Sequence, residues 1–266
     1  MGFYFVYSED MNISSLSAAT YGSNIFLPRS VYRLIAVVVL LVMFPCTLVA
    51  NNPVKTQVHY KVSSTGLSIG EVTTTQRTTE ESGIISIHFE TRTAVSASFL
   101  WMGYALDTVE KGTIQKGELI SYSRKGRENG AVIDVEGHLE HSTFRLDVRE
   151  NGVTRSISIP RSSYDFTTME CPEARIDFTE KPRVTLKVLD VEKLAVVRRE
   201  YQLVRTAHYK IAGKEYPCRV VDFSDQNKSA RRWVFWDGSA VVMYRQDGKG
   251  DKSSYSVQAT SVSRDL

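Results

Sequence analysis

An all-β fold, a many-stranded antiparallel sheet curled on itself or rolled, is what this sequence predicts. Three observations carry the prediction. Apolar and polar residues alternate with period two in run after run from Val58 to Ala259, the pattern of half-buried strands. Asn-Gly and Asp-Gly pairs separate several of these runs, at Asn129-Gly130, Asn151-Gly152, Asp237-Gly238 and Asp247-Gly248; such pairs favour tight hairpins because the turn needs positive φ. Threonine and other β-branched residues are dense where strands are expected, as in Glu71 to Thr79.

The chain opens on residues 1–29, whose charged residues are Glu9, Asp10 and a first basic residue at Arg29. They read either as a disordered cytoplasmic tail or as the product of an over-early start codon, with translation beginning near Val31. Residues 30–50 follow, containing the uncharged run Leu34 to Ala50 (LIAVVVLLVMFPCTLVA) behind Arg29 and Arg33. A positive flank, an apolar centre and a small closing residue make a signal peptide. The run's 17 residues also meet the lower limit for a membrane span, roughly 17, so an uncleaved anchor is the alternative. Either reading places the rest of the chain on the outer side, periplasmic or exported, or anchored to the inner membrane with the domain in the periplasm. Met43-Phe44-Pro45 before Cys46 is unlike the approach to a lipidated cysteine.

Residues 51–266 are then one exported domain, long enough to bury a real core. Losing residues 1–50 removes two basic and two acidic residues, leaving 31 and 28 and a net charge still of +3. That balance, without long runs of one sign, excludes nucleic acid as an expected partner. Cys171 and Cys218 survive maturation. In an oxidising compartment an even count invites a disulfide; two separate buried thiols are the equal alternative.

In order, Val58/Tyr60/Val62, Glu71 to Thr79 and Ile85/Ile87/Phe89 form an opening meander, with turns at Thr65-Gly66 and Ser82-Gly83. An aromatic patch, Phe99, Trp101 and Tyr104, leads into Leu106–Ile114 and Leu119–Arg124. Ile133/Val135, Phe144/Leu146/Val148 and Ile157/Ile159 then give one apolar face, and Pro160 closes it. The segment 162–180 is the least strand-like. It reads as a short helical or irregular crossover, with a helix beginning near Ser162 or Ser163. Leu189–Val204 has a helical spacing at Leu194, Val197 and Tyr201, but its β-branched content favours strands. Terminal hairpins around the two Asp-Gly pairs finish the chain.

Several segments resemble a group of exported bacterial proteins filed as domains of unknown function. The matching features are Tyr60 to Gly70 with its Gly66-x-x-Ile69-Gly70 turn, Tyr104 to Lys111 (YALDTVEK), Gly117-Glu118-Leu119, and Trp233-x-x-Trp236-Asp237-Gly238. They span most of residues 54–260. The resemblance implies an all-β roll around an apolar interior and carries no catalytic residues.

No catalytic residue, metal site or cofactor is predicted. No Gly-x-Ser-x-Gly elbow or phosphate-cradling glycine loop occurs. His138, Glu140 and His141 are the one tight His/carboxylate group, but residues 138 and 141 of a strand face opposite sides. Cys171 or Cys218 with His208 would make a thiol pair only if folding joined them. Glu110, Glu118, Asp134 and Glu136 are the carboxylates available for glycoside chemistry, and alternation assigns them to a wet sheet face. Phe99, Trp101, Tyr104, Trp233, Phe235 and Trp236 are the candidate lining of a ligand cavity, core packing being the competing role.

The functional expectation is a non-enzymatic exported envelope protein with a binding or scaffold role for a lipid, a lipid-linked molecule or an envelope partner protein, touching the membrane only through residues 34–50 if these are uncleaved. An envelope hydrolase built on the 162–180 loop and a structural partner of an outer-membrane complex are the alternatives. If the signal is cleaved after Ala50, the mature protein begins at Asn51; N-terminal sequencing of protein recovered from a bacterial periplasm checks this.

Overall fold

The computed structural model describes residues 54–99, 102–238, 240–249 and 254–265; the run at 34–50 and its signal or anchor reading lie outside them. Among the described residues fifteen strands join in one sheet. The first eight are β1 (Val54–Ser64), β2 (Leu67–Glu81), β3 (Ile84–Phe99), β4 (Met102–Gln115), β5 (Glu118–Glu128), β6 (Ala131–Glu140), β7 (Thr143–Glu150) and β8 (Val153–Pro160). Then follow β9 (Phe166–Thr167), β10 (Arg183–Asp190), β11 (Ala195–Ile211), β12 (Lys214–Ser224), β13 (Ser229–Trp236), β14 (Val241–Lys249) and β15 (Ser254–Asp265). The all-β expectation is met.

The order across the sheet is β8-β7-β6-β5-β4-β3-β2-β1-β15-β14-β13-β12-β11-β10-β9. Two meanders thus run outward from the centre, where the two ends of the domain pair antiparallel, from Lys55 opposite Asp265 to Ser64 opposite Tyr255. Every neighbouring pair is antiparallel except β9 with β10, where Phe166 and Thr167 lie beside Val188 and Leu189. Within the second meander, β14 pairs with β15 only from Arg245 to Lys249. Beyond that point the buried Gln76 side chain of β2 takes over. It accepts from the Val241 amide at 3.1 Å and donates to the Val241 carbonyl, an amide standing in for a missing ladder.

Turn chemistry explains the meanders. Asn129-Gly130 and Asn151-Gly152 have φ of 50/84° and 50/83°, the all-positive pattern of a type I′ turn. Thr65-Gly66, Ser82-Gly83, Lys116-Gly117 and Ala212-Gly213 adopt the same geometry, with residues less suited to the first position. One expected turn is not a turn. Asp247-Gly248 lies inside β14, and a Cβ on Gly248 would stand 2.5 Å from the Tyr255 ring. The glycine is there to seat an aromatic from the next strand.

The 162–180 region is irregular, as expected, but its helix starts later. Arg161–Ser163 and Thr168–Glu170 are single 3₁₀ turns, and the α-helix α1 (Pro172–Arg175) begins on a proline; proline suits that position because its missing N–H would be unpaired there anyway. Leu189–Val204 is strand, broken by a turn at Leu194 with φ of 54°. That side chain packs on the neighbouring core.

Three clusters fill the interior. One joins β3–β8, through residues such as Phe89, Leu119, Phe144 and Leu146, to Tyr164 of the crossover and Leu189 and Val191 at the end of β10. A second brings Ala174, Ile176 and Phe178 of the crossover against Tyr201, Phe223 and Val234. The third surrounds Val58, Tyr60 and Tyr244. The sheet therefore curls until its two outer portions share a core, and the crossover fills what is left. Packing is close enough that Gly137 has no room for a Cβ, which would fall 2.6 Å from Leu146.

Because Ala212 is exposed and held at φ of 46°, Ala212→Asn should stabilise the domain by about 1 kcal/mol, since asparagine tolerates this region better. Urea denaturation checks this, and an unchanged midpoint would refute it.

Candidate ligand-binding cleft

The cleft is built on the crossover, so what fixes the crossover comes first. Asp165 docks its start on β10, its amide donating to the Lys187 carbonyl and its carboxylate accepting from the Lys187 amide, both at 2.8 Å. Thr167 and Glu170 close a capping box around the second 3₁₀ turn. Cys171 takes a left-handed conformation, φ 50°, and turns the chain into α1. Glu173, fully buried, then pairs with Arg232 of β13. Burial works against the Glu173 carboxylate, yet the Arg232 charge and hydrogen bond outweigh it and hold its pKa below the ordinary glutamate value. Leaving α1, the chain is held by Arg219 of β12, whose Nη1 donates to the Ile176 carbonyl at 3.0 Å.

A second charged layer braces the strands beneath. Arg199 contacts Asp190 and Asp225, both at 2.8 Å, and Lys228 reaches Asp190 at 3.0 Å. Burial disfavours the Asp190 charge, but Lys228 and Arg199 prevail and lower its pKa. Arg199 and Arg232 each lie over the Phe223 ring, at 4.8 and 4.7 Å, geometry in which a cation is attracted to the ring face.

Around α1 lie two adjoining hollows of about 570 and 380 Å³ that share Ala174, Arg219 and Trp236. The larger has an apolar wall of Ile84, Ile85, Ile87, Ile114 and Trp236, and a rim holding Lys116, Arg175 and Arg219. The smaller continues past Phe235 and Val234 to His208. Among the described residues, no acidic one lines either hollow. Arg175 lies over the Trp236 ring at 4.8 Å, and its Nε is buried with no hydrogen-bond partner among the described residues. Two larger hollows, about 860 and 800 Å³, have mixed linings in which acids sit beside bases, as in Arg231–Asp222 and Lys111–Glu90, and the first also holds Trp233 and Tyr255. The α1 cleft differs in being lined by cations and apolar residues with no carboxylate among the described lining residues.

Of the six aromatic candidates, Phe235 and Trp236 line this cleft. Trp236 touches the first and second cores, whereas Trp233 and Phe235 pack on the third. Tyr104 is exposed on β4 and lines neither hollow. The side chain of Phe99 and all of Trp101 lie outside the described residues. Lys116, Arg175, Arg219 and the isoleucines were not singled out in the sequence. The one available signal is the adjacent pair Ile84-Ile85, which breaks alternation and forces an isoleucine onto the wet face; Ile85 is 55% exposed.

The other candidates do not converge. Cys171 and Cys218 are both free thiols in this structure. Burial raises the pKa of each thiol, which disfavours the nucleophilic thiolate. Cys218 stands opposite Ala207, and His208 opposite Pro217, so that thiol and imidazole project to opposite faces. Glu110 faces Arg124 at 3.5 Å on the inner side and Glu118 pairs with Arg161 at 3.1 Å. Asp134 and Glu136 share Lys125 on the other face. His138 bonds Glu140 at 2.8 Å while His141 occupies the following turn, and among the described residues no group of three or more His, Cys, Asp or Glu could hold a metal ion.

Breaking the pair that anchors α1 should be costly. Glu173→Gln should destabilise the domain by about 3–5 kcal/mol at neutral pH. A lowered folded pKa stabilises fully above the unfolded glutamate value of about 4.3 and ceases to as pH falls through the folded value. The gap between wild type and variant in urea denaturation should therefore close towards acid; a gap independent of pH would refute the assignment.

No protein-family model matches the chain, and no curated protein matches it. Among solved structures it is similar to a beta-barrel-like protein of domain of unknown function DUF1849 from Brucella abortus, with a TM-score of 0.53, 10% identity, and coverage of 80% of this chain and 98% of that one. At that identity the likeness is one of fold: this chain shares the all-β, barrel-like architecture of a protein whose domain has no assigned function.

Proposed function

We propose that this chain is an exported, non-enzymatic protein of the bacterial envelope, with its 51–266 domain facing the periplasm and binding a lipid or lipid-linked molecule in the α1 cleft. The observation that carries the reading is the cleft itself, an apolar wall around Trp236 bordered by Lys116, Arg175 and Arg219 with no acid in the lining. Its larger hollow, about 570 Å³, falls in the range of roughly 300–1,000 Å³ typical of ligand sites, which are apolar pockets with a few polar groups. Export is supported by the charge-flanked apolar run at 34–50. A partly exposed pair of isoleucines beside a tryptophan would be a poor surface to leave in water without an occupant.

Native mass spectrometry with lipid extraction, on protein recovered from a bacterial periplasm, tests this. The expected result is a co-purifying amphiphile that is lost when Trp236 or Ile85 is replaced. An empty protein that also takes up no added lipid would overturn the reading and direct the search to protein partners.

A further inference from the structure

We infer that the amphiphile carries an anionic headgroup, a carboxylate or phosphate ester, held between Lys116, Arg175 and Arg219 with its chain against Ile84, Ile85 and Trp236. The inference rests on the lipid-binding reading above and specifies its ligand.

Charge complementarity decides the class. Among the described residues, no carboxylate lies within ion-pair distance of Lys116, Arg175 or Arg219. The buried cations of the domain are matched, Arg199 by two aspartates and Arg232 by Glu173, whereas in the cleft Arg175 is half-buried and Lys116 and Arg219 are exposed, within reach of a ligand from solvent. A neutral or cationic ligand in this cleft would add no counter-charge to three bases, and a cationic one would be repelled. An anionic headgroup supplies the acceptors that the rim lacks.

The geometry of the two arginines suits that role. Arg175 is placed over the Trp236 indole at 4.8 Å, a contact that holds its guanidinium at the cleft. Its buried Nε lacks an acceptor. Arg219 is oriented by the single bond from Nη1 to the Ile176 carbonyl at 3.0 Å. A planar fork held this way matches a carboxylate or phosphate in a manner that lysine does not. Lys116 sits at the tip of the β4–β5 hairpin, exposed, as a third and mobile charge. The isoleucine wall argues for a chain on the anion, because free phosphate would gain nothing from apolar surface.

The test uses the full chain isolated from a bacterial envelope and four probes below their aggregation concentrations: dodecanoate, 1-dodecanol, dodecyltrimethylammonium and inorganic phosphate. Dodecanoate should bind at least about tenfold more tightly than the alcohol, the size expected for one charge-assisted hydrogen bond. Arg175→Gln and Arg219→Gln should each lose about tenfold for dodecanoate and leave the alcohol unchanged. Ile85→Asp, at an exposed site that folding tolerates, should weaken both. Equal affinity for dodecanoate and dodecanol would overturn the headgroup assignment and leave lipid binding standing. Binding of neither would overturn both. Phosphate bound as tightly as dodecanoate would overturn the amphiphile in favour of a simple anion site.

Discussion

The fold depends on one non-local ladder, the pairing of β1 with β15. Without it the chain would form two separate meanders, each with an open edge at the centre. With it, Val62 stands opposite Val257 and fifteen strands become one sheet. Such a ladder closes almost the entire domain into a loop. The entropy of closure grows only slowly with length, yet contacts this distant in sequence form late and slow folding. The six tight turns with both central residues at positive φ offset this by pre-forming hairpins on either side. The buried Gln76 amide, bonded both ways to Val241, secures the join where β14 leaves β15.

Joining the chain ends at the centre leaves the crossover at the periphery, and the cleft follows from that. Leaving β8 at one edge, the chain must reach β9 at the opposite one. It does so through residues 161–165, and from β9 it runs on to β10 along the inside of the curl, burying Ala174, Ile176 and Phe178 in the second core. A buried backbone segment carries polar groups that need partners, which is why the Glu173–Arg232 pair, the Thr167–Glu170 capping box and the Arg219 bond to Ile176 are concentrated there. Ala174 and Arg175 reach the cleft by virtue of that anchoring. The same arginine that fixes the end of α1 also forms part of the cationic rim, so site and scaffold are mechanically joined.

The charges of the domain divide by face. On outward sheet surfaces, cross-strand pairs such as Arg231–Asp222 and Lys125–Glu136 are solvated and contribute little to stability. Inside, Arg199 with Asp190 and Asp225 is almost fully shielded, where losing one partner would strand the others. The cleft belongs to neither set. Its cations border apolar surface, and Arg175 and Arg219 act on Glu170 and Asp177 without forming an ion pair among the described residues, which leaves them open to a ligand that completes the electrostatics.

The sequence by itself determined the strands, most of the turns and the irregular crossover, because alternation and Asn-Gly chemistry are local: Phe144, Leu146 and Val148 point inward for the reason their neighbours Arg145 and Asp147 point out. It also exposed Trp236 as a candidate lining residue. It could not show that Asp247-Gly248 continues a strand, since that depends on the Tyr255 ring across the ladder. Nor could it separate Trp236 from Trp233, which differ in the cores and hollows each meets. Lys116, Arg175 and Arg219 come from a hairpin tip, a four-residue helix and a strand interior, and they share no spacing that could reveal a site. Their meeting is decided by the curl of the sheet and the inward path of the crossover, both long-range consequences of pairing the first strand with the last.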